Sequence, residues 1–196
     1  MKLIFATNNK HKIEEIQHVI GDTFELITLS EAGINIDIPE PHDTLEANAS
    51  EKSWTIYRLT GINCFSEDSG LEVEALNGEP GVRSARYAGE EKSDERNTAK
   101  VLQQLEGKDN RRARFRTVIS LIIDGKELLF EGTCPGVITT APRGSHGFGY
   151  DPVFIPDNGA RTFAEMTLEE KGRYSHRKRA SDQLVSFLQL QAGNIR

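Results

Sequence analysis

Asn63-Cys64-Phe65-Ser66-Glu67-Asp68-Ser69-Gly70 is the most informative stretch of the chain, because in it an apolar run ends in two carboxylates, a hydroxyl and a glycine. Adjacent carboxylates repel each other unless positive charge lies nearby. At the end of a strand successive side chains point to opposite faces, so one acid can face a pocket while the other orients a loop or a second ligand. Gly70 permits a sharp turn or a close backbone approach to a ligand. An acidic surface turn is the alternative. Residues of the types that bind phosphate occur elsewhere in the chain, and they favour a functional site at the two acids.

The length of 196 residues predicts a single domain, residues 1–196, or one unit with two lobes. The net charge of −6 argues against a general nucleic-acid binder, which would carry a basic surface. The two cysteines show neither CxxC spacing nor a histidine cluster, so a zinc site or a disulfide scaffold is not expected and a reducing compartment fits. No signal peptide or membrane-spanning stretch is visible. We therefore expect a soluble cytoplasmic protein without a nucleic-acid or membrane partner.

The N-terminal residues predict a strand, a polar turn and a helix. Lys2 to Ala6 is apolar, Thr7-Asn8-Asn9 has turn and N-cap chemistry, and isoleucines then recur at helical spacing at positions 13, 16 and 20. A helix that begins after a strand leaves free backbone N–H groups, which form a natural anion site. Lys12 adds a cation at its rim. The Walker A pattern is absent, and an ordinary capped helix is the alternative.

A second helix is predicted from the capping-box pattern Asp43-Thr44-Leu45-Glu46 to about Leu59. Asn48 and Lys52 are four residues apart and share one face of this helix. Glu40 lies just before it, in a stiff segment that contains two prolines. A solvated lysine and a loop acid are the alternative interpretations of Lys52 and Glu40.

Several further elements follow from the hydrophobic pattern. Ser93 to Leu105 predicts a helix, and Asp124-Gly125 is a strong two-residue hairpin signal. The last helix begins at Ser175-His176-Arg177. The strands are expected at Leu26 to Leu29, around Leu71 to Ala75, at Phe115 to Ile123, Lys126 to Thr133 and Gly136 to Thr140, with Asn35 to Ile38 either a strand or an extended loop. The arginines between positions 111 and 116 form a basic cluster, which is either a solvated face or a contact for phosphate or a partner.

The glycine-rich segment Gly144 to Pro152 has the composition of a ligand loop rather than of a spacer. Glycines beside Phe148 let its ring lie open next to backbone amides, which suits a nucleobase; a glycine-rich loop with a packed phenylalanine is the alternative. His176 and Arg177 stand at a helix start, where the helix dipole favours anions, and this placement hints at a bound anion or polar ligand.

Together these groups form the inventory that a nucleoside triphosphate with Mg²⁺ requires. Mg²⁺ takes one or two carboxylates plus phosphate oxygens and water. Cations balance the phosphate charge, and a carboxylate can deprotonate an attacking water. The cations and amides are Asn9, Lys12, Lys52 and Arg177, the carboxylates are Glu40, Glu67 and Asp68, and the base platform is Phe148, Tyr150 and His176.

From about Lys2 to Leu188 the chain closely resembles the inosine triphosphate pyrophosphatase family. The motifs that carry the resemblance are ATNNKHK, SEDSGLEV, GEPGVRSARYAG, GFGYDPVF and EEKGRYSHR, and they are specific in combination. The resemblance implies an elongated α/β fold in which a long, twisted mixed β-sheet with flanking helices forms two lobes, with the active cleft between them. It also implies a homodimer.

The resemblance implies a role for each matching position. Asp68 is the expected proton acceptor and metal ligand, with Glu40 as a metal-linked acid and Lys52 as a phosphate contact. The expected triphosphate loop consists of Thr7, Asn8, Asn9, Lys10, His11 and Lys12. The other expected substrate contacts are Ser69, Phe148, Gly149, Tyr150 and Asp151, and the expected base-recognising residues are Lys171, His176 and Arg177. Glu67 departs from the pattern, since many relatives have a second aspartate there, and a longer acid could shift the metal geometry slightly.

The implied activity is Mg²⁺-dependent hydrolysis of ITP, dITP, XTP and dXTP to the monophosphate and pyrophosphate, which cleanses the nucleotide pool. Two alternatives remain open. One is a pyrophosphatase that acts on modified pyrimidine nucleotides. The other is a nucleotide- or RNA-binding protein that uses the arginines between positions 111 and 116.

Overall fold

A computed structural model describes residues 1–21 and 24–193 and shows a mixed α/β protein. The strands are β1 (Lys2–Phe5), β2 (Glu25–Thr28), β3 (Cys64–Val73), β4 (Arg112–Ile123), β5 (Lys126–Ile138) and β6 (Phe154–Pro156). The helices are α1 (Lys10–Ile20), α2 (Leu45–Thr60), α3 (Asp94–Gln104), α4 (Leu168–Gly172) and α5 (His176–Gly193). Short 3-10 helices span Glu74–Leu76, Gly81–Arg86, Asp151–Val153 and Phe163–Glu165.

The six strands form one sheet in the order β2-β1-β3-β4-β5-β6. β1 pairs in parallel with β2 and β3, whereas β5 pairs with β6 in antiparallel orientation. The predicted mixed sheet with flanking helices is therefore confirmed, and the elongated outline and the cleft remain predictions.

The central strand β3 is longer than predicted. We expected the acids at the end of a strand, but β3 runs through Glu67 and Asp68 and ends at Val73. The predicted strand around Leu71 to Ala75 is its continuation, and Ala75 already lies in a 3-10 turn. Most residues of β3 are buried, which indicates that other elements cover both faces of this strand. The expected alternation of the two acids survives this correction, because it depends only on the extended backbone.

The chain separates into two compact units, and each is described here by itself. The first contains Met1–Asp68, Thr117–Gly132 and the chain from Arg177 onward. In it α1 and α5 pack on one face of the strands, where the Phe5 and Phe65 rings stack at a centroid distance of 4.5 Å. On the other face α2 contributes Ile56 to a second apolar cluster with Ile4 and Cys64. The strands of this unit are therefore buried between two helical layers.

The second unit contains Ser69–Arg116 and Thr133–His176. Its core combines the end of β3, the helix α3 and an aromatic group in which Phe115, Phe154 and Phe163 pack with centroid distances of 4.6 to 6.0 Å. The prediction that residues 1–196 form a single domain stays a prediction.

Local signals placed most element boundaries correctly. Asn9 caps α1 by accepting a hydrogen bond from the Lys12 amide. The Asp124-Gly125 turn has two positive φ angles, 49° and 74°, as the hairpin signal requires. Two details differ from the predictions: Thr44, rather than Asp43, caps α2, and the short strand expected at Gly136 is the end of β5. Of the two alternatives for residues 35–38, the structure shows a loop rather than a strand.

Candidate active site

The two adjacent acids of β3 face different helices of the first unit. Glu67 points toward α1 and α5, where its carboxylate accepts two hydrogen bonds from Arg177 Nε, at 2.8 and 3.0 Å, and lies 3.2 Å from Lys12 Nζ. Asp68 points toward α2, where Oδ1 lies 3.5 Å from Lys52 Nζ. The strand thus presents Glu67 to Arg177 and Lys12, and Asp68 to Lys52.

These surroundings shift the two carboxyl pKa values in opposite directions. Burial raises the pKa of Glu67, but the charges of Arg177 and Lys12 outweigh it and lower the pKa to about 2. Burial also raises the pKa of Asp68, and Lys52 and Lys12 offset this only in part, so the pKa of Asp68 stays above its ordinary value. Glu67 is therefore ionised at neutral pH, while Asp68 is the more basic of the pair.

One oxygen of Asp68 is available for chemistry. Asp68 Oδ2 is buried and accepts no hydrogen bond from any residue in the described ranges 1–21 and 24–193. A buried carboxylate oxygen is normally satisfied, so one left without a donor needs an explanation such as a ligand, water or ion. Asp68 therefore satisfies the first requirement of the general base predicted at this position.

The ammonium group of Lys52 contacts three acceptor oxygens, one of which belongs to Asp68. Its Nζ donates to Glu40 Oε1 at 2.5 Å and to the Glu67 carbonyl oxygen at 2.7 Å, besides facing Asp68. Burial lowers the pKa of Lys52, but the carboxylates of Asp68 and Glu40 outweigh burial, so the pKa is raised and the ammonium stays charged. The structure thus brings Glu40, Lys52 and Asp68 together, as predicted.

Asn48 holds the segment that carries Glu40. Its side chain is 1% exposed, accepts a hydrogen bond from the His42 amide at 2.9 Å and donates to the His42 carbonyl at 3.1 Å. The segment before α2 is therefore fixed to the helix that carries Lys52. The sequence showed that Asn48 and Lys52 share a helix face, but it did not show this clamp.

The predicted triphosphate loop lies between β1 and α1. The Thr7 hydroxyl accepts a hydrogen bond from the Asn9 amide at 3.2 Å, and Asn8 Nδ2 donates to the Ile36 carbonyl at 3.0 Å. Lys10 and His11 occupy the exposed first turn of α1. These hydrogen bonds hold the turn, which presents a helix N-terminus, an arrangement suited to anions.

Arg177 lies in a buried ion-pair network of the first unit. Its guanidinium contacts Glu67 and also Glu15 of α1, and its side chain is 3% exposed. Burial lowers the pKa of Arg177, and both carboxylates more than compensate, so the pKa is raised. Glu15 belongs to this ion-pair network but was not predicted from the sequence, although it lies three residues after Lys12 on α1. Base recognition by Arg177 stays a prediction, and the described contacts are those of a network that orients Glu67.

The other residues predicted to meet the base lie in the second unit. Lys171 donates to Asp151 Oδ2 at 2.7 Å, and the same oxygen accepts a hydrogen bond from the Phe148 amide at 3.0 Å. The Lys171 ammonium also lies 5.2 Å from the centroid of the half-buried Phe148 ring. The loop, its aromatic residue and the lysine are thus assembled as one structure.

Tyr150, His176 and Ser69 are the remaining predicted substrate contacts outside the first unit. Tyr150 is 4% exposed, and its hydroxyl donates to the Ser84 carbonyl at 2.6 Å. His176 is buried and stacks on Phe115 at a centroid distance of 4.8 Å. Ser69 is half-buried in β3. Contacts of these three residues with a substrate stay predictions.

The arginines between positions 111 and 116 form hydrogen bonds and ion pairs with other residues of the second unit. Arg112 forms a bidentate pair with Asp157, at 2.7 and 2.9 Å, and Arg114 donates to Glu72 at 2.6 Å. Arg111 donates to three backbone carbonyls. These contacts favour a structural role over RNA binding.

The acids near Lys52 fit a hard divalent cation in their donor chemistry. Carboxylate oxygens are the protein ligands that Mg²⁺ prefers, and Asp68 Oδ2 is such an oxygen without a donor among the described residues. In that part of the chain no group of three His, Cys, Asp or Glu side chains is arranged to hold a metal. Mg²⁺ accepts such a sparse site, because it takes its remaining ligands from water and substrate phosphates.

No helix in the described ranges is both long and apolar enough to cross a bilayer.

Comparisons with known proteins agree with this architecture. The sequence model of the Ham1 family matches residues 3–187. A "dITP/XTP pyrophosphatase" of Porphyromonas gingivalis is 50% identical, over 95% of this chain and 97% of that protein, and one of Flavobacterium johnsoniae is 48% identical, over 96% and 98%. The solved structure of the Staphylococcus aureus Ham1 protein, 41% identical, superimposes with a TM-score of 0.88 over 97% of this chain and 100% of that one. The resemblance seen in the sequence is confirmed, and the chain belongs to the Ham1 family.

Proposed function

We propose that this protein hydrolyses the deaminated purine nucleotides ITP, dITP, XTP and dXTP to the monophosphate and pyrophosphate. The observation that carries the proposal is the buried Asp68 carboxylate, with an oxygen that accepts no hydrogen bond from the described residues and with Lys52 beside it. The named activity of relatives that are about half identical along nearly the full chain supports the choice of substrate.

Asp68 is the group that we assign to activating water. Its raised pKa makes it a stronger base than an ordinary aspartate, and a base works best when its pKa approaches the working pH. The proton of the attacking water passes to Oδ2 as the water oxygen bonds to the α-phosphorus. The bond from the α-phosphorus to the bridging oxygen breaks, and pyrophosphate leaves.

Lys12 and Lys52 are assigned to the triphosphate. Both are paired with carboxylates within the first unit, and these pairs hold the two ammonium groups in place before substrate arrives. Cations that are positioned in advance stabilise the charge that develops on the leaving pyrophosphate without a cost of reorganisation. The first turn of α1, with Thr7 to His11, supplies backbone N–H groups for the same anion.

Base recognition is assigned to Phe148, Lys171 and His176, with Arg177 as the further candidate implied by resemblance. Hypoxanthine and xanthine carry a 6-keto acceptor where adenine carries a 6-amino donor. A buried donor from lysine, histidine or arginine pairs with the keto oxygen and is left unsatisfied against adenine. Such mismatches discriminate by roughly four to five orders of magnitude.

Mg²⁺ is the proposed cofactor, and Asp68 and Glu40 would hold it. When bound, it would neutralise phosphate charge. We also propose that the protein is a cytoplasmic homodimer without nucleic-acid or membrane partners. By hydrolysing free nucleotides it would keep deaminated purines out of DNA and RNA.

A nucleotide panel tests the proposal. With Mg²⁺ present, we expect kcat/KM for ITP and XTP to exceed that for ATP and GTP by orders of magnitude, with pyrophosphate as the initial product. The panel includes dUTP and dTTP, and a preference for either would instead identify a pyrimidine nucleotide pyrophosphatase. Comparable rates on all purine triphosphates would contradict selection for deaminated bases.

A further inference from the structure

The loop with Phe148 is anchored from outside by the helix α3. The Gly149 amide donates to Asp94 Oδ2 at 2.7 Å, and the Gly149 carbonyl accepts a longer hydrogen bond from the Thr98 hydroxyl at 3.4 Å. Both backbone groups of this one residue are therefore bound by side chains one helical turn apart on α3.

The polar face of α3 that makes these contacts is itself fixed. Asn97, between the two anchors, is 2% exposed and bonds the Ala88 amide at 2.7 Å and the Ala85 carbonyl at 3.0 Å. Polar side chains on a buried helix face are retained where they satisfy specific partners. Asn97 thus ties α3 to the end of the 3-10 helix Gly81–Arg86 and to the residues just after it, so the helix that carries the two anchors of Gly149 is itself held in place.

The backbone conformation of Gly149 explains why such anchors matter. Its φ angle is +60°, in the left-handed region, and a Cβ at this position would contact nothing within 4 Å. Packing therefore does not determine the backbone here. Its neighbours have other anchors: the Phe148 amide is held by Asp151, and the Tyr150 hydroxyl by the Ser84 carbonyl.

We propose that Asp94 and Thr98 are positioning residues that fix Gly149 and thereby hold the Phe148 ring in its base-binding orientation. The assignment rests on the proposed function, because it gives the loop from Phe148 to Asp151 the task of binding the base. It adds to that function two residues of α3 that lie outside every motif of the resemblance.

Steady-state kinetics with ITP test the role in catalysis. A hydrogen bond to a charged acceptor is lost in Asp94→Ala, and a bond of that strength corresponds to about tenfold or more in affinity. We expect KM to rise by about that factor while kcat changes little, because the loop binds the base and not the reacting phosphate. Thr98→Val should raise KM less, because its bond is longer. Asp94→Asn keeps an oxygen acceptor and should restore most of the affinity.

Glu95→Ala is the matched control. Glu95 is an exposed acid in the same first turn of α3, so its removal changes the helix-dipole interaction and the net charge equally. If Asp94→Ala and Glu95→Ala raise KM alike, or if Asp94→Ala lowers only kcat and the melting temperature, Asp94 merely stabilises the helix and the proposal is overturned.

A second measurement uses no substrate. In the ligand-free protein, amide hydrogen exchange of Gly149, followed by NMR, should quicken by about tenfold or more in Asp94→Ala and remain unchanged in Glu95→Ala. Unchanged amide exchange of Gly149 in Asp94→Ala would overturn the proposed positioning role of Asp94, whatever the substrate is. A wild-type protein that hydrolyses no ITP would instead overturn the proposed function. The exchange measurement would still show whether Asp94 holds Gly149 in place.

Discussion

At the residue scale, the site depends on two neighbouring carboxylates with opposite behaviour. Glu67 is surrounded by the cations Arg177 and Lys12 and has a pKa of about 2, whereas burial keeps the pKa of Asp68 above its ordinary value. The extended backbone of β3 causes this difference, because it sends the two side chains to opposite faces of the sheet. One acid can then anchor cations while its neighbour acts as a base.

Replacing Asp68 by Asn tests the base directly. The amide keeps the shape but cannot accept a proton, and general-base catalysis contributes roughly two to four orders of magnitude. We expect kcat for ITP to fall by at least about a hundredfold with a circular dichroism spectrum like that of wild type. Asp109→Asn, at an exposed position, is the control and should keep full activity. A variant Asp68→Asn that retains more than about a tenth of its turnover would require another base.

Glu67→Gln should act on stability. The change leaves the buried Arg177 without one of its two carboxylates, and breaking a buried pair costs about 3–5 kcal/mol. Urea unfolding of the variant and of wild type measures this cost, and Glu14→Gln, at an exposed position of α1, should change the unfolding free energy by less than about 0.5 kcal/mol.

The same pair of proteins gives a pH test. Because folding lowers the pKa of Glu67 from 4.5 to about 2, its stabilising contribution is complete above pH 4.5 and is lost as the pH falls toward 2. The stability gap between wild type and Glu67→Gln should therefore narrow over that range. A gap that stays constant down to pH 2 would show that the charge of Glu67 is not what stabilises the fold.

At the element scale, local chemistry predicted the helices and turns better than the strands. The cap at Asn9 and the turn at Asp124-Gly125 each need only neighbours in sequence, and both are confirmed. The extent of β3 was mispredicted because adjacent acids normally end a buried strand. They are tolerated here because Lys52 and Arg177, distant in sequence, supply the compensating charge.

Gly70 shows what the end of β3 requires. The sequence suggested a turn or a close approach, and the structure shows a close approach: a Cβ on Gly70 would overlap the Gly81 carbonyl. Gly70→Ala should therefore lower the unfolding free energy by about 1–3 kcal/mol, the usual cost of overpacking. Gly172→Ala, where a Cβ meets nothing within 4 Å, is the matched control. Equal melting temperatures for the two variants would show that this approach is not tight.

At the scale of the whole molecule, the sequence predicted the fold class and most candidate residues but not their partners. Charge and spacing marked Lys12, Lys52 and Asp68 as candidates but left structural alternatives open, and the family resemblance supplied their expected roles. The pairing of Arg177 with Glu67 and Glu15 joins residues more than 100 positions apart in sequence, and no local pattern encodes it. The motif resemblance supplied the overall architecture, which local periodicity alone does not determine.

The central claim is that Asp68 directs water to the α-phosphorus of a deaminated purine triphosphate. The most direct measurement is hydrolysis of ITP in water labelled with heavy oxygen, with both products examined by mass spectrometry after a single turnover. We predict that the label appears in IMP and that pyrophosphate is unlabelled. Label in pyrophosphate would place the attack on the β-phosphorus, and release of labelled orthophosphate with IDP would place it on the γ-phosphorus; either result would contradict this account.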